Sequence, residues 1–412
     1  MEATHALVRD MIKHPINISS KRFIEHTNAY YQWLREEAPV YKGKLSVLTV
    51  YLLSRYNDCV ELLMDRRFVR NRTTVTGGKN RVPFPVPKAI SLVAQNMILA
   101  DEPEHRRLRN LVHKAFTPQA LARLEGRIEQ LTNELLDVAE PQGALDLMKA
   151  YALPIPVTVI KELVGVSDAD MPRFRDGLTV LSEGFSGWNT LRTILRDLPA
   201  IVRFVRELVV RKRAAPGDDI LTALIQAEDE GQQLSEDELV SMVILLILAG
   251  FETTVHLITN AVVTLLLHPV QLQRLRDQPD LMSSAVEEIV RYNGPVQSTK
   301  PAYASEAITL HGVTIPRGAM VLPLLGAANR DPAVFERPEV FDIARTPNRH
   351  LGFGQGIHYC LGAPLARMET RIALQTLLKR NPNLRLAVEP KALKLQTIPT
   401  WHRYERLPVV LG

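Results

Sequence analysis

Cysteine is scarce in this chain: two in 412 residues, Cys59 and Cys360. So few thiols exclude a disulfide framework and fit a reducing compartment. There is also no apolar run of the roughly 20 residues needed to span a bilayer. The longest, Leu239 to Phe251, is broken by Ser241, stops at Glu252 and reads as a buried helix. The first ten residues carry Glu2, Arg9 and Asp10 and no apolar core, so they resemble neither a secretion signal nor a membrane anchor. A cytoplasmic location is expected. Repeats, low-complexity tracts and an obvious linker are missing as well, which makes residues 1–412 a single domain with a large core. No glycine fingerprint for a flavin or nicotinamide opens a helix.

Charge is nearly balanced, with 50 Lys and Arg against 45 Asp and Glu. Basic residues gather at Arg66, Arg67, Arg70 and Arg72 and again from His105 to Arg109 and at Lys114, without the interleaved aromatics that stack bases. Nucleic acid is therefore not the expected partner; a solvated face or a dock for an acidic partner is.

Apolar residues recur at helical spacing over 21–37, from Tyr56 to Asp65, and helix after helix from Pro103 to Arg213. Breaks fall at Thr117-Pro118, Pro141-Gln142-Gly143, Ser167-Asp168 and Ser186-Gly187. Ser235 and Glu238 form a capping box that opens the longest helix, which runs to Leu267 before His268-Pro269 stops it. Two shorter helices reach Tyr292. Val47–Leu53 and the runs between Ile308 and Leu325 read as strands, residues 71–100 as loop, and Asn329–His350 as irregular chain. The class is mainly α, α+β with small sheets.

The most informative stretch is Phe353-Gly354-Gln355-Gly356-Ile357-His358-Tyr359-Cys360-Leu361-Gly362, which sets a cysteine in a glycine-rich loop leading into a helix with Pro364 in its first turn. A helix N-terminus stabilises a thiolate, and glycines let backbone N–H groups approach the sulfur. Such a thiolate can attack a substrate or bind metal. A nucleophile needs an oriented base; His358 is the local candidate, and nothing nearby orients it. Zinc needs more ligands at suitable spacing, and Cys59 lies far off in an apolar helix. A lone axial ligand to haem iron fits the pattern. The remaining reading is a buried structural cysteine beside a helix start.

The run Phe-Gly-x-Gly-x-His-x-Cys-x-Gly followed by Ala-Pro-Leu-Ala-Arg resembles the haem-binding loop of the cytochrome P450 family. Three further family motifs occur in the expected order. Ala249-Gly250-Phe251-Glu252-Thr253-Thr254 places small residues, an acid and two hydroxyls inside the apolar helix. The glycine there costs about 1 kcal/mol relative to alanine. Two readings stand: a groove where dioxygen sits, or a helix whose threonine bonds back to the preceding turn. Glu288 and Arg291 lie on one helical face at i,i+3, a spacing that by itself is common on solvated helices. His105 and Arg109 share a face one turn apart.

The resemblance implies the P450 fold, with haem b held between the long central helix and the helix after the cysteine. It implies Cys360 as iron ligand, with Phe353, Gly354, Gly362 and Ala249 against the cofactor, and Thr253 and Glu252 managing protons. His105, Arg109 and His358 would hold the propionates. The family's fourth propionate cation, an arginine, is replaced here by Ala302, and Lys300 is the expected substitute. Glu288 and Arg291 would form a structural triad; the usual arginine partner is absent at Val340, and Arg345 is expected in its place. The pocket would draw on Leu246, Gly250, Val296, Thr299 and Trp401, with the loop between Arg72 and Asn96 and the region of Phe185 and Trp188, and the stretch from Gly77 to Pro87 would form a movable entrance. The implied activity is a monooxygenase inserting one oxygen atom of O2 into a C–H bond of a small hydrophobic substrate. Electrons would come from a separate ferredoxin and its reductase, docking near Arg66, Arg106 and Arg107. The alternatives are a peroxide-driven or oxidative-coupling enzyme on the same fold, and a non-catalytic haem sensor or carrier.

Overall fold

A computed structural model describes residues 14–77, 89, 90, 92, 96–116, 118–183, 192–227 and 231–412. Its principal helices are α1 (Thr27–Glu37), α2 (Tyr56–Met64), α3 (Glu104–Ala115), α4 (Pro118–Ala139), α5 (Pro154–Val164), α6 (Met171–Glu183), α7 (Leu198–Ala214), α8 (Glu236–Leu267), α9 (Pro269–Asp277), α10 (Met282–Asn293) and α11 (Ala363–Arg380). The chain forms two units. The first comprises Met1–Lys79, Thr132–Ala152 and His256–Gly412, and the second Asn80–Leu131 and Leu153–Val255.

The first unit is built on a five-stranded sheet of order β1-β2-β8-β5-β3, namely β1 (Val40–Leu45), β2 (Leu48–Leu53), β3 (Phe68–Val69), β5 (Ala302–Ala304) and β8 (Met320–Pro323); β4 (Ala144–Asp146) belongs to a separate small sheet, and β6 (Ile308–Leu310) pairs with β7 (Val313–Ile315). The Val50–Leu53 end of β2 is apolar and buried at every residue because both its faces are covered there. Leu53 joins a cluster with Leu62, Phe68 and Val321, whereas Leu52 joins one with Ile16, Leu34 and Leu322. Cys59 lies in the first cluster, fully buried, its Sγ donating to Leu53 O at 3.3 Å. Burial pushes that thiol well above its ordinary value, so Cys59 is inert packing. β3 pairs antiparallel with β5 in the register Phe68↔Ala304 and Val69↔Tyr303.

The second unit is all helical around the first two-thirds of α8. Its capping box is formed: Glu238 N donates to Ser235 Oγ at 3.3 Å and Ser235 N donates to Glu238 Oε2 at 2.8 Å. α8 is long and apolar enough by length and composition to cross a membrane, but 72% of its most apolar window is buried inside the fold. It is a core helix, apolar all round for that reason.

Three local expectations change. The segment 21–37 breaks at His26 into Lys21–Glu25 and α1. The stretch 71–100 is not all loop, since Arg72–Thr76 is a helical turn capped by Asn71, whose side chain accepts from Thr73 N. β1 escaped notice because its lysines and glycine mask the pattern; it is held by pairing with β2, not by propensity. The entrance loop 78–87, Phe185, Trp188 and the break at Ser186-Gly187 lie outside the described residues.

Candidate active site

The cysteine loop is shaped by its glycines. Gly354 and Gly356 have φ of +72° and +73°, and a Cβ on Gly356 would sit 2.4 Å from Leu63 O. The loop closes when Cys360 N donates to Phe353 O at 2.9 Å, and α11 then starts at Ala363 with Gly362 as its N-cap. The half-buried Cys360 thiol thus stands at the head of an 18-residue helix. His358 is half-buried two residues before it.

A cluster that sequence reasoning missed holds this loop from behind. Arg367 grips Glu287 with Nε to Oε1 at 2.6 Å and Nη2 to Oε2 at 2.8 Å, and its Nη1 reaches Tyr359 OH at 3.1 Å. The same guanidinium covers the Phe353 ring at 4.3 Å, and His350 Nε2 meets Glu287 Oε2 at 3.0 Å. Nothing in spacing links these residues; they come from α10, α11 and the irregular segment. Burial alone would raise the Glu287 carboxyl, but hydrogen bonds from Arg367 and His350 outweigh it and hold it at about 2, against an ordinary 4.5. The folded value is the lower one, so the stability Glu287 contributes is complete above pH 4.5 and is lost as pH falls from there toward 2. Allowing for solvent screening, the loss is about 2 kcal/mol. Urea midpoints across that window should fall less for Glu287→Gln than for the native protein; parallel curves would mean that another carboxylate governs acid stability.

Glu288 and Arg291 are fully buried and form a bidentate pair at 2.7 and 2.8 Å. Arg345 Nε reaches both Glu288 oxygens at 3.1 and 3.0 Å, and Val340, at the usual arginine position, offers only its carbonyl, which accepts from Arg291 and Arg345. Val296 and Trp401 are also brought together, as an isolated antiparallel bridge, with Gln297 N donating to Thr400 O at 2.9 Å. Lys300 is exposed at its side chain. Its carbonyl accepts from Nη1 of the buried Arg70, whose Nη2 donates to Thr299 Oγ1 at 3.2 Å.

In the second unit, Leu246, Ala249, Gly250, Glu252 and Thr253 keep solvent access in the middle of a helix whose neighbouring residues are buried. Thr253 Oγ1 donates to Ala249 O at 2.8 Å and Thr254 Oγ1 to Gly250 O at 3.2 Å, so the back-bonded arrangement is the one present. His105 is buried on α3, with Arg109 half-buried one turn on and donating to His113 Nε2 at 3.2 Å. Burial first, then the Arg109 charge, lowers the His105 pKa, which keeps the imidazole neutral with one N–H to donate. Arg106 and Arg107 do not stand as bare cations: Arg106 pairs with Glu102 at 2.6 Å, and Arg107 with Glu104 at 2.6 Å and with Glu238. A cavity of about 210 Å³ lies among α6, α7 and α8, walled by Phe174, Leu178, Ile201, Phe204, Ile244 and Ile247. Of the described residues expected at the pocket, Leu246, Gly250, Val296, Thr299 and Trp401 do not line it.

These residues fit a haem. A lone accessible thiol at a helix N-terminus is a one-ligand donor set, and among the described residues no three His, Cys, Asp or Glu side chains gather as a metal site of their own. On α8 the accessible stripe carries Ala249 and Gly250, side chains small enough to leave room beside it, and α3 carries donors suited to carboxylates.

A family profile described as "Cytochrome P450" matches residues 188–391. The polyketide biosynthesis cytochrome P450 PksS of Bacillus subtilis (strain 168) is 39% identical over 92% of this chain and 94% of its own length. This chain belongs to the cytochrome P450 family. The solved structure of PksS superposes with a TM-score of 0.90 at 38% identity, covering 96% of this chain and all of that one. CYP107DY1 of Priestia megaterium is 43% identical over 86% of this chain and 88% of its own length, and the vitamin D(3) 25-hydroxylase of Pseudonocardia autotrophica 38% over 96% of each. The chain is a P450 oxidoreductase of the bacterial monooxygenase type, and the family's cofactor is haem.

Proposed function

We propose that this P450 inserts one oxygen atom of O2 into a C–H bond of a small hydrophobic substrate in the cytoplasm, with haem b held by Cys360. The half-buried thiol at the head of α11 carries this reading. Haem iron bound there would activate dioxygen, and the chain supplies everything else. Phe353, Gly354, Gly362 and Ala249 are assigned to the cofactor's faces, and the α11 N-terminus favours the sulfur as the anion. His105, Arg109 and His358 are assigned to the propionates. Glu288, Arg291 and Arg345 lock α10 to the segment that leads into the loop.

On α8, Ala249 and Gly250 leave space, and Thr253 and Glu252 handle protons. A hydroxyl has one donor and two acceptor positions, so Thr253 can accept from a water while donating to Ala249 O. Thr253→Ala should therefore cut product formed per electron by about an order of magnitude while oxygen consumption continues. Simultaneous assays of oxygen uptake and product check this, and unchanged coupling would remove Thr253 from proton delivery. Leu246, Val296, Thr299 and Trp401 are assigned to an apolar pocket wall. Ferredoxin is the proposed electron donor. With Arg106 and Arg107 already paired, its docking should weaken only severalfold between low and physiological salt. Turnover at subsaturating ferredoxin is the measurement, and a rate indifferent to salt would exclude electrostatic docking.

The deciding experiment is the carbon monoxide difference spectrum of the dithionite-reduced protein. A strong red-shifted band is expected of a haem thiolate. Absence of haem, or only a blue-shifted band, would overturn the assignment of Cys360.

A further inference from the structure

Val296 and Trp401 sit on two short pieces of chain that meet in an isolated antiparallel bridge. His402 N donates to Pro295 O at 2.8 Å and Gln297 N to Thr400 O at 2.9 Å, so Val296 and Trp401 are opposed with no bond between their own backbones. In a pair of that kind the two side chains stand close together on one face. Both keep solvent access. Two such bonds are too few to hold an antiparallel pair in water by themselves. The missing support comes from α8. Asn260, fully buried, donates through Nδ2 to Asn293 O at 2.9 Å and to His402 O at 2.9 Å. One amide nitrogen therefore grips both pieces, three residues before Val296 on one and next to Trp401 on the other. The amide can sit only this way round, because reversing it would set its oxygen against two carbonyls. One turn along, Asn293 Nδ2 donates to Thr264 Oγ1 at 2.9 Å, and Thr264 Oγ1 donates to Asn260 O at 2.6 Å, which ties the first piece to α8 a second time.

We propose that Asn260 is a positioning residue for the substrate: its amide fixes the Val296–Trp401 pair, and with it the surface that an apolar molecule meets there. The proposal rests on the assignment of Val296 and Trp401 to the pocket wall. A longer ladder would hold such a pair by repetition. Here two carbonyls on two pieces of chain depend on one side chain, so the wall shifts when its donors go. Asparagine is a poor residue for a helix interior, and its place in this one is explained by what it reaches. Sequence alone hides that reach, because Asn260 and His402 are 142 positions apart.

The test titrates two iron-binding probes into the ferric holoprotein and follows the haem absorption: imidazole, which needs little beyond the iron, and 4-phenylimidazole, whose phenyl ring must fit against the wall. Asn260→Leu keeps the shape and removes the donors. It should raise the 4-phenylimidazole Kd about tenfold, the scale of two lost neutral hydrogen bonds, and leave the imidazole Kd within about twofold of native. Trp401→Ala should weaken 4-phenylimidazole as well, and in that background Asn260→Leu should add less than about twofold, because its effect runs through the ring. A merely structural amide predicts a lower melting temperature with the ratio of the two Kd values native, or full additivity with Trp401→Ala, and either result overturns the proposal. Should Asn260→Leu yield no holoprotein, Asn260→Ser, too short to reach both carbonyls, is read by the same ratio. Native 4-phenylimidazole binding in Trp401→Ala would remove Trp401 from the pocket wall and take the proposal with it, so failure of that reading is told apart from failure of the clasp.

Discussion

Arg291→Ala is expected to destabilise the holoprotein by about 3–5 kcal/mol, the cost of stripping a buried carboxylate of its partner. Glu288 and Arg291 are both fully buried at the side chain. The Glu288 carboxylate accepts from Arg291, from Arg345, from Asn348 Nδ2 at 3.2 Å and from the backbone N–H of Asp342 at 3.0 Å. Arg291 in turn donates to the carbonyls of Asn329 at 2.8 Å, Pro338 at 2.9 Å and Val340 at 3.2 Å. Removing its guanidinium takes the donor from the buried carbonyl of Asn329 and from that of Pro338, and leaves both Val340 O and the carboxylate to Arg345. The irregular chain between Asn329 and Asn348 has no ladder of its own, so these bonds are what order it. Urea denaturation of the holoprotein measures the loss. Glu288→Gln combined with Arg291→Met should cost less than the sum of the two single changes, since neither change then leaves the other's charge unpaired, and Arg345 alone loses its carboxylate. A loss under about 1 kcal/mol in Arg291→Ala would put the network in the class of replaceable surface pairs.

Cys360→His should have the largest effect on activity. Histidine is itself an axial ligand in other haem proteins, so the variant can keep its cofactor while losing the electron donation that favours O–O cleavage. The loop does not depend on the thiol, because its closing bond runs from the backbone N–H of Cys360 to Phe353 O at 2.9 Å. The reduced carbon monoxide band should move to the blue position, and product formation should fall by at least about 100-fold, as when one decisive electrostatic group leaves an active site. A variant that retains the red-shifted band would exclude Cys360 as the ligand.

Much of this was legible in the chain because it is local. The capping box at Ser235 and Glu238 needs only three residues of separation, as does the helical pair Glu288 and Arg291, and the one-turn offset of His105 and Arg109 needs four. The cysteine loop is equally local, its glycines specifying φ values that other residues resist. The long apolar stretch declared a buried helix, since no amphipathic surface helix lacks a polar side for so long.

Readable from the chain alone, then, are the local shape of the cysteine loop and the helices around it. The family resemblance already pointed to Arg345, which reaches Glu288 across 57 positions, but tertiary structure alone decided the other partners: Arg367 reaches Glu287 across 80 positions, and Arg70 meets Lys300 across 230. The carboxylate of Glu287 is held at about 2 by partners from two other segments. The reason is physical: periodicity and capping are set by bonds along a few residues of backbone, whereas a buried charge takes whichever counterpart sheet register and helix packing bring within hydrogen-bond reach, and neither register nor packing is written at any single position.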